Sequence, residues 1–169
     1  REKSTAEPPA KPDARALAET QKSTGAILRD LRKKRGLSQR KFWMKVGVPN
    51  CGALYEQGKC AMPETVRYLL TLVYGSQQRS LTSLKELRAN LTSLNGGRNI
   101  DQLSLREIRG KFKLNQAEFW ERLMVRQSVG SSYENGKSPT PKHVQLLLML
   151  AYGSDKKALA LFHDLRGEK

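Results

Sequence analysis

The chain has 169 residues, with 31 Lys and Arg against 16 Asp and Glu, giving a formal net charge of +15. That length holds one ordinary domain or two very small ones. The charge favours a polyanion as partner, nucleic acid first, over a basic surface that merely aids solubility. Cys51 and Cys60 are too few for a secreted disulfide framework, and free thiols in a reducing cytosol are the preferred reading. His143 and His163 lie far from both, so no zinc spacing and no metal site is expected. No apolar run approaches the ~18 residues of a membrane span, and no secretory segment is visible. A soluble cytoplasmic protein without a membrane role is the expectation.

Residues 1–23, REKSTAEPPAKPDARALAETQKS, mix charges with proline and alanine and lack a regular apolar face. They are expected to form a disordered N-terminal arm, with Arg15 to Gln21 a weak helix at most. After Thr24 an internal repeat begins. LRDLRKKRGLSQRKFW (28–43) aligns with LREIRGKFKLNQAEFW (105–120) at an offset of 77 residues. YEQGK (55–59) aligns with YENGK (133–137) at an offset of 78, so the first copy has lost one residue between Trp43 and Tyr55. PETVRYLLTLVYGS (63–76) then pairs with PKHVQLLLMLAYGS (141–154), and SLTSLKELR (80–88) with ALALFHDLR (158–166). The glycines of NGGRN (95–99) mark a joint. The resulting division is a first domain over 24–94, ending near Leu94, a linker over 95–100 and a second domain over 101–169.

Each unit reads as a string of short helices. Gly36 closes the first helix of unit 1 by offering the left-handed conformation of a cap. Ser38 and Asn115 are N-caps for the second helices. Phe42 with Val46, and Phe119 with Leu123, give those helices an apolar face. A short third helix ends at Gly58 or Gly136. Pro63 and Pro141 suit the first position of a fourth helix, where no N–H is needed. That helix carries Val66, Leu69, Leu70 and Val73, or Val144, Leu147, Leu148 and Ala151. A last amphipathic helix uses Leu81, Leu84, Leu87 and Leu91, or Leu159, Phe162 and Leu165. Nothing alternates with a period of two, so the fold class is all-α.

LRKKRGLSQRKF, then VGV, then YEQGK resemble a lambda-repressor/Cro-like (XRE-type) helix-turn-helix domain, and IRGKFKLNQAEF, LMV and YENGK resemble it again. The resemblance implies two tandem domains of that fold, each with an added C-terminal helix. One departure recurs. The family usually has alanine four residues after the glutamine, where Trp43 and Trp120 stand here. These tryptophans either stack on a base or fill space opposite glycine at Gly52 and Gly130, and the matched large–small pair favours packing.

In such a fold the third helix enters the major groove with its N-terminal residues on base edges. The resemblance makes Arg126, Gln127, Ser128, Ser131 and Ser132 the base-reading set of unit 2. Glutamine pairs bidentately with adenine and arginine with guanine. Gln116 is expected to touch a phosphate and brace Gln127, with Lys137 on a phosphate beyond the helix. Unit 1 offers Asn50, Cys51, Ala53 and Leu54 instead, a poorer reading head in which Asn50 and Leu54 keep some base contact. Its backbone set is Gln39, Arg40, Lys41 and Lys59, within a stretch also carrying Arg29, Arg32, Lys33, Lys34, Arg35 and Lys45 against a single Asp30. Tyr55, Tyr133, Glu56 and Glu134 are expected to be scaffold, the glutamates pairing with Arg32 and Arg109. No triad, paired-acid motif or phosphate-cradling loop is visible, so neither catalysis nor a cofactor is expected.

The leading functional expectation is a sequence-specific transcriptional regulator of bacterial or phage type, bound to double-stranded DNA in the bacterial cytosol or nucleoid. Unit 2 would read bases while unit 1 holds backbone. The chain would act as a monomeric pseudo-dimer or as a homodimer. The alternative is a module that binds a protein partner such as polymerase, an activator or a toxin, suggested by the apolar Cys51–Leu54 face. RNA binding is a weaker third option, because no single-strand platform is visible.

Overall fold

The computed structural model describes residues 14–89, 91 and 103–168, with side chains described from residue 18 onward. The linker over 95–100, the boundary near Leu94 and residues 1–13 of the expected arm lie outside the described residues. Among the described residues there are ten helices and no strand. They are α1 (Ala14–Lys34), α2 (Gln39–Lys45), α3 (Gly52–Glu56), α4 (Glu64–Tyr74) and α5 (Gln77–Arg88) in unit 1. Unit 2 repeats them as α6 (Leu105–Lys111), α7 (Gln116–Arg122), α8 (Gln127–Glu134), α9 (Lys142–Tyr152) and α10 (Asp155–Arg166).

The helix starts follow local chemistry. The Ser38 hydroxyl accepts from the Lys41 N–H at 3.3 Å. Asn115 accepts from the Glu118 N–H at 2.9 Å, while the Glu118 carboxylate accepts from the Asn115 N–H at 2.9 Å, a reciprocal capping box. Ser76 and Ser154 cap the last helix of each unit in the same way as Ser38. Pro63 and Pro141 sit one position earlier than expected, as N-caps of α4 and α9. Gly36 turns the chain at φ +61° after α1.

Two expectations about the helices need correction. Residues 14–23 are helical, the first part of the 21-residue α1, whereas its counterpart α6 has 7 residues. The C-terminal part of this extension lies where α1 comes close to α3 and to the turn after it. A Cβ on Gly25 would lie 2.6 Å from the Tyr55 carbonyl oxygen, and one on Gly58 would lie 2.7 Å from the Lys22 Cα. In the last helices, Leu91 falls beyond the end of α5 and Leu159 is exposed. The buried face of α10 is Ala158, Phe162 and Leu165.

Each unit has the same aromatic core. Tyr74 stacks on Phe42 with ring centroids 4.2 Å apart and donates its hydroxyl to the Phe42 carbonyl at 2.8 Å. Tyr152 stacks on Phe119 at 4.6 Å and donates to the Phe119 carbonyl at 3.1 Å. The phenol thereby pins α4 or α9 to the second helix while its only polar atom stays satisfied.

The two units join through α4, α5, α9 and α10. Arg88 of α5 donates to the carbonyls of Leu150, Ala151 and Gly153 at the end of α9, at 2.7, 3.1 and 2.9 Å, and reaches Asp155 at 2.5 Å. Arg166 of α10 does the reciprocal job at the end of α4. It donates to the carbonyls of Leu72 and Gly75 at 3.0 and 3.2 Å and to the Ser80 hydroxyl at 2.7 Å. A helix C-terminus has unsatisfied carbonyls and a partial negative charge, so a guanidinium is the appropriate partner. The two arginines occupy equivalent repeat positions, and the seam is therefore a pseudo-twofold contact within one chain.

Candidate nucleic-acid interface

The third helix of each unit is docked by one side-chain cluster. In unit 1 the Glu56 carboxylate accepts from Arg32 at 2.8 and 2.9 Å, from Trp43 Nε1 at 2.9 Å and from Gln39 Nε2 at 3.2 Å. In unit 2 the Glu134 carboxylate accepts from Arg109 at 3.1 and 3.2 Å, from Trp120 Nε1 at 2.9 Å and from Gln116 Nε2 at 3.1 Å. The expected pairing of these glutamates with Arg32 and Arg109 is present. Burial alone would raise both carboxyl pKa values. Hydrogen bonds from the arginine, tryptophan and glutamine, with the arginine charge, outweigh it and hold both below the ordinary carboxylate value.

The tryptophans are scaffold. Trp43 and Trp120 are fully buried, and a Cβ on Gly52 or Gly130 would lie 2.1 Å from the facing indole. The large–small pair brings the second and third helices together, and the indole N–H reaches the carboxylate as part of the same fit. Sequence reasoning had the pair and the Arg–Glu contact separately. It missed that one carboxylate gathers all four donors.

The residue lost from unit 1 lies between Val48 and Gly52. Val48 and Val125 occupy equivalent sites, each donating its backbone N–H to the carbonyl of its tryptophan, at 3.0 and 2.9 Å. From there Pro49, Asn50 and Cys51 lead to Gly52, whereas Arg126, Gln127, Ser128 and Val129 lead to Gly130. The deletion falls in the stretch that forms the first turn of α8 in unit 2 and that lies ahead of α3 in unit 1. α3 has 5 residues and α8 has 8: one position is deleted, and the chain through Asn50 and Cys51 forms a turn where unit 2 is helical. Asn50 and Cys51 are exposed in a turn ahead of α3, and Cys51, the helix's N-cap, makes no side-chain capping bond.

On α8, Arg126, Gln127 and Ser128 are exposed together at the N-terminus. Gln127 Nε2 donates to Gln116 Oε1 at 2.7 Å, the bracing contact expected from the sequence. Ser131 and Ser132 are half-buried, and the Ser132 hydroxyl donates to the Ser128 carbonyl within the helix at 3.2 Å. Val129 is exposed beside them, a surface residue that the sequence reading passed over. In unit 1, Gln39 reaches Glu56 but makes no bond to Asn50 among the described residues. Leu54 is 39% exposed and Met44 51% exposed on that unit.

The candidate phosphate-facing residues differ in charge. Arg40 and Lys41, in the first turn of α2, are exposed, while Ala117 and Glu118 take those places in α7. Lys59 and Lys137 are exposed just past the third helices, where their backbone N–H groups close the helix ends at 2.9 Å onto Leu54 and Ser132. The turns between second and third helices also differ. Gly47, at φ +76°, lets unit 1 press against α9, where a Cβ would lie 2.7 Å from the His143 backbone nitrogen. Met124 holds the same position at φ +53° and, with Glu64 and Gln127, lines an open groove.

A family model for the RsaL-like HTH domain matches residues 29–73 and again residues 106–151, together more than half of the chain. The chain belongs to this family. The first RsaL-like match runs from α1 into α4 and the second from α6 into α9, so each contains a complete helix-turn-helix. Helices α5 and α10 lie outside both matches. No curated relative and no solved structure matches the chain. No helix among the described residues is long and apolar enough to cross a membrane. Tandem helix-turn-helix domains point to a DNA-binding regulator with DNA as its partner.

Proposed function

We propose that this is a sequence-specific transcriptional regulator of bacterial or phage type, of lambda-repressor-like (XRE) character, acting on double-stranded DNA in the cytosol. Unit 2 reads bases in the major groove through α8, and unit 1 holds the DNA backbone. The observation that carries this division is the length of the third helix. Unit 2 keeps the exposed N-terminal turn that meets base edges, with Gln127 braced by Gln116. Unit 1 has lost that turn but presents Arg40 and Lys41 at the start of α2. Phosphate contacts supply affinity and salt dependence, whereas base-edge contacts supply discrimination. The reciprocal Arg88 and Arg166 contacts favour a single chain working as a pseudo-dimer. Titration of the full chain with a selected duplex and a scrambled one, over a range of salt, tests the reading. Binding without discrimination removes the base-reading role of unit 2.

A second reading has its own support. Exposed Met44 and Leu54 give unit 1 apolar surface near its shortened helix. That surface suits a protein partner such as polymerase, an activator or a toxin, with DNA binding secondary. No DNA binding in the same titration, together with a specific protein complex, favours this alternative.

A further inference from the structure

We propose that the buried carboxylate of Glu134, acting through Gln116, determines which way round the amide of Gln127 faces DNA and thereby makes adenine the base it reads. The inference rests on the reading of α8 as the base-reading helix.

Hydrogen-bond polarity runs outward from the carboxylate. An ionised carboxylate only accepts, so whichever atom of Gln116 faces Glu134 must be its NH2 group. The Nε2 of Gln116 lies 3.1 Å from Glu134 Oε2. Its Oε1 is then turned outward as an acceptor, and the facing atom of Gln127 must be a donor. Gln127 Nε2 lies 2.7 Å from that oxygen. The second N–H of Gln127 and its Oε1 remain free. This is the donor–acceptor pair that matches N7 and N6 of adenine in the major groove. The polarity therefore follows from the charge at the inner end of the chain. Arg109 and Trp120 fix that end by donating to Glu134 at 2.9 to 3.2 Å.

Unit 1 contains the same cluster without the outer link. Glu56 takes the same four donors, including Gln39 at 3.2 Å, but Asn50 does not reach Gln39. The buried carboxylate is thus equally structural in both units, and only in unit 2 does its charge extend to a base-reading amide. Glu134 is a positioning residue, with no contact to DNA of its own.

Replacing Glu134 by glutamine introduces an NH2 group at one of the two oxygen positions. At Oε1 it would face the N–H groups of Trp120 and Arg109, neither of which can accept. At Oε2 it faces one Arg109 N–H and Gln116, whose amide can turn. Gln116 then offers an N–H outward, and Gln127 turns its own amide to accept. The reversed amide opposes adenine at both positions and finds an acceptor in guanine O6.

The test is equilibrium binding of the full chain to duplexes in which each base pair of a selected site is varied in turn. Wild type is expected to prefer adenine at one position by about tenfold or more. Glu134→Gln should abolish that preference and favour guanine there. The matched Glu56→Gln, shown folded by circular dichroism, should keep that preference even where overall affinity falls. Gln116→Leu should weaken it without reversing it. A folded Glu134→Gln protein, checked by circular dichroism, that still prefers adenine overturns the proposal. So does a folded Glu56→Gln protein that loses the preference to the same extent. Where Glu134→Gln does not fold, full adenine preference in Gln116→Leu overturns it instead. Absence of any DNA binding overturns the reading of α8 and this inference with it, whereas binding that ignores these substitutions overturns the inference alone.

Discussion

Helices α3 and α8 descend from one repeated phrase and are docked by matching clusters, yet they present different surfaces. Both place a glycine under a tryptophan and a glutamate beneath an arginine. Only in α8 is the stretch before that glycine a helical turn, carrying the exposed Gln127 and Ser128. The lesson is that docking and presentation are separable in this fold. The C-terminal half of the third helix anchors it, and the N-terminal half is free to change in length and chemistry.

The largest expected effect tests the shared half. Gly130→Ala and Gly52→Ala should each destabilise by about 3 kcal/mol, because the new methyl would lie 2.1 Å from a fully buried indole. Denaturant titration followed by tryptophan fluorescence measures this, and equal losses in the two units confirm a common frame. The seam comes next. Arg88→Ala or Arg166→Ala should cost about 2 kcal/mol, since each leaves several helix-end carbonyls without a partner. Unfolding should separate into two transitions as the units uncouple, and a single unchanged transition counts against the clamp.

The remaining tests probe what differs. Gln127→Ala should reduce discrimination between selected and scrambled duplexes by about 1–2 kcal/mol, while Asn50→Ala changes it little. Equal effects at the two positions would erase the distinction between reading and holding. Arg40→Ala with Lys41→Ala should weaken all sequences alike, lowering the slope of log affinity against log salt by about 2. A loss confined to the selected duplex would assign base reading to unit 1.

Much of this was legible in the chain. The duplication, the caps at Ser38 and Asn115, the Trp–Gly pairs and the Arg32–Glu56 and Arg109–Glu134 pairs all appear where residue type and spacing place them. Local capping and size complementarity are short-range, so sequence exposes them. The early start of α1 was not legible, because its residues carry no apolar stripe, and the close approach of Lys22 to Gly58 is between backbones remote in the chain. The partners of Arg88 and Arg166 were not legible either. Most are carbonyl oxygens more than sixty residues away in the other unit, and a carbonyl carries no side-chain signature.

By itself the sequence determined an all-helical chain of two related helix-turn-helix units, a strongly basic first half-domain and a shortened phrase before Tyr55. The tertiary structure decided where that shortening falls, because only the paired sites of Val48 with Val125 and Gly52 with Gly130 confine it to the few residues just ahead of α3. It also decided that the two units join as reciprocal halves and that one carboxylate links the core of unit 2 to Gln127. These depend on distances between residues remote in the chain, set by packing of whole helices, and no local pattern encodes them.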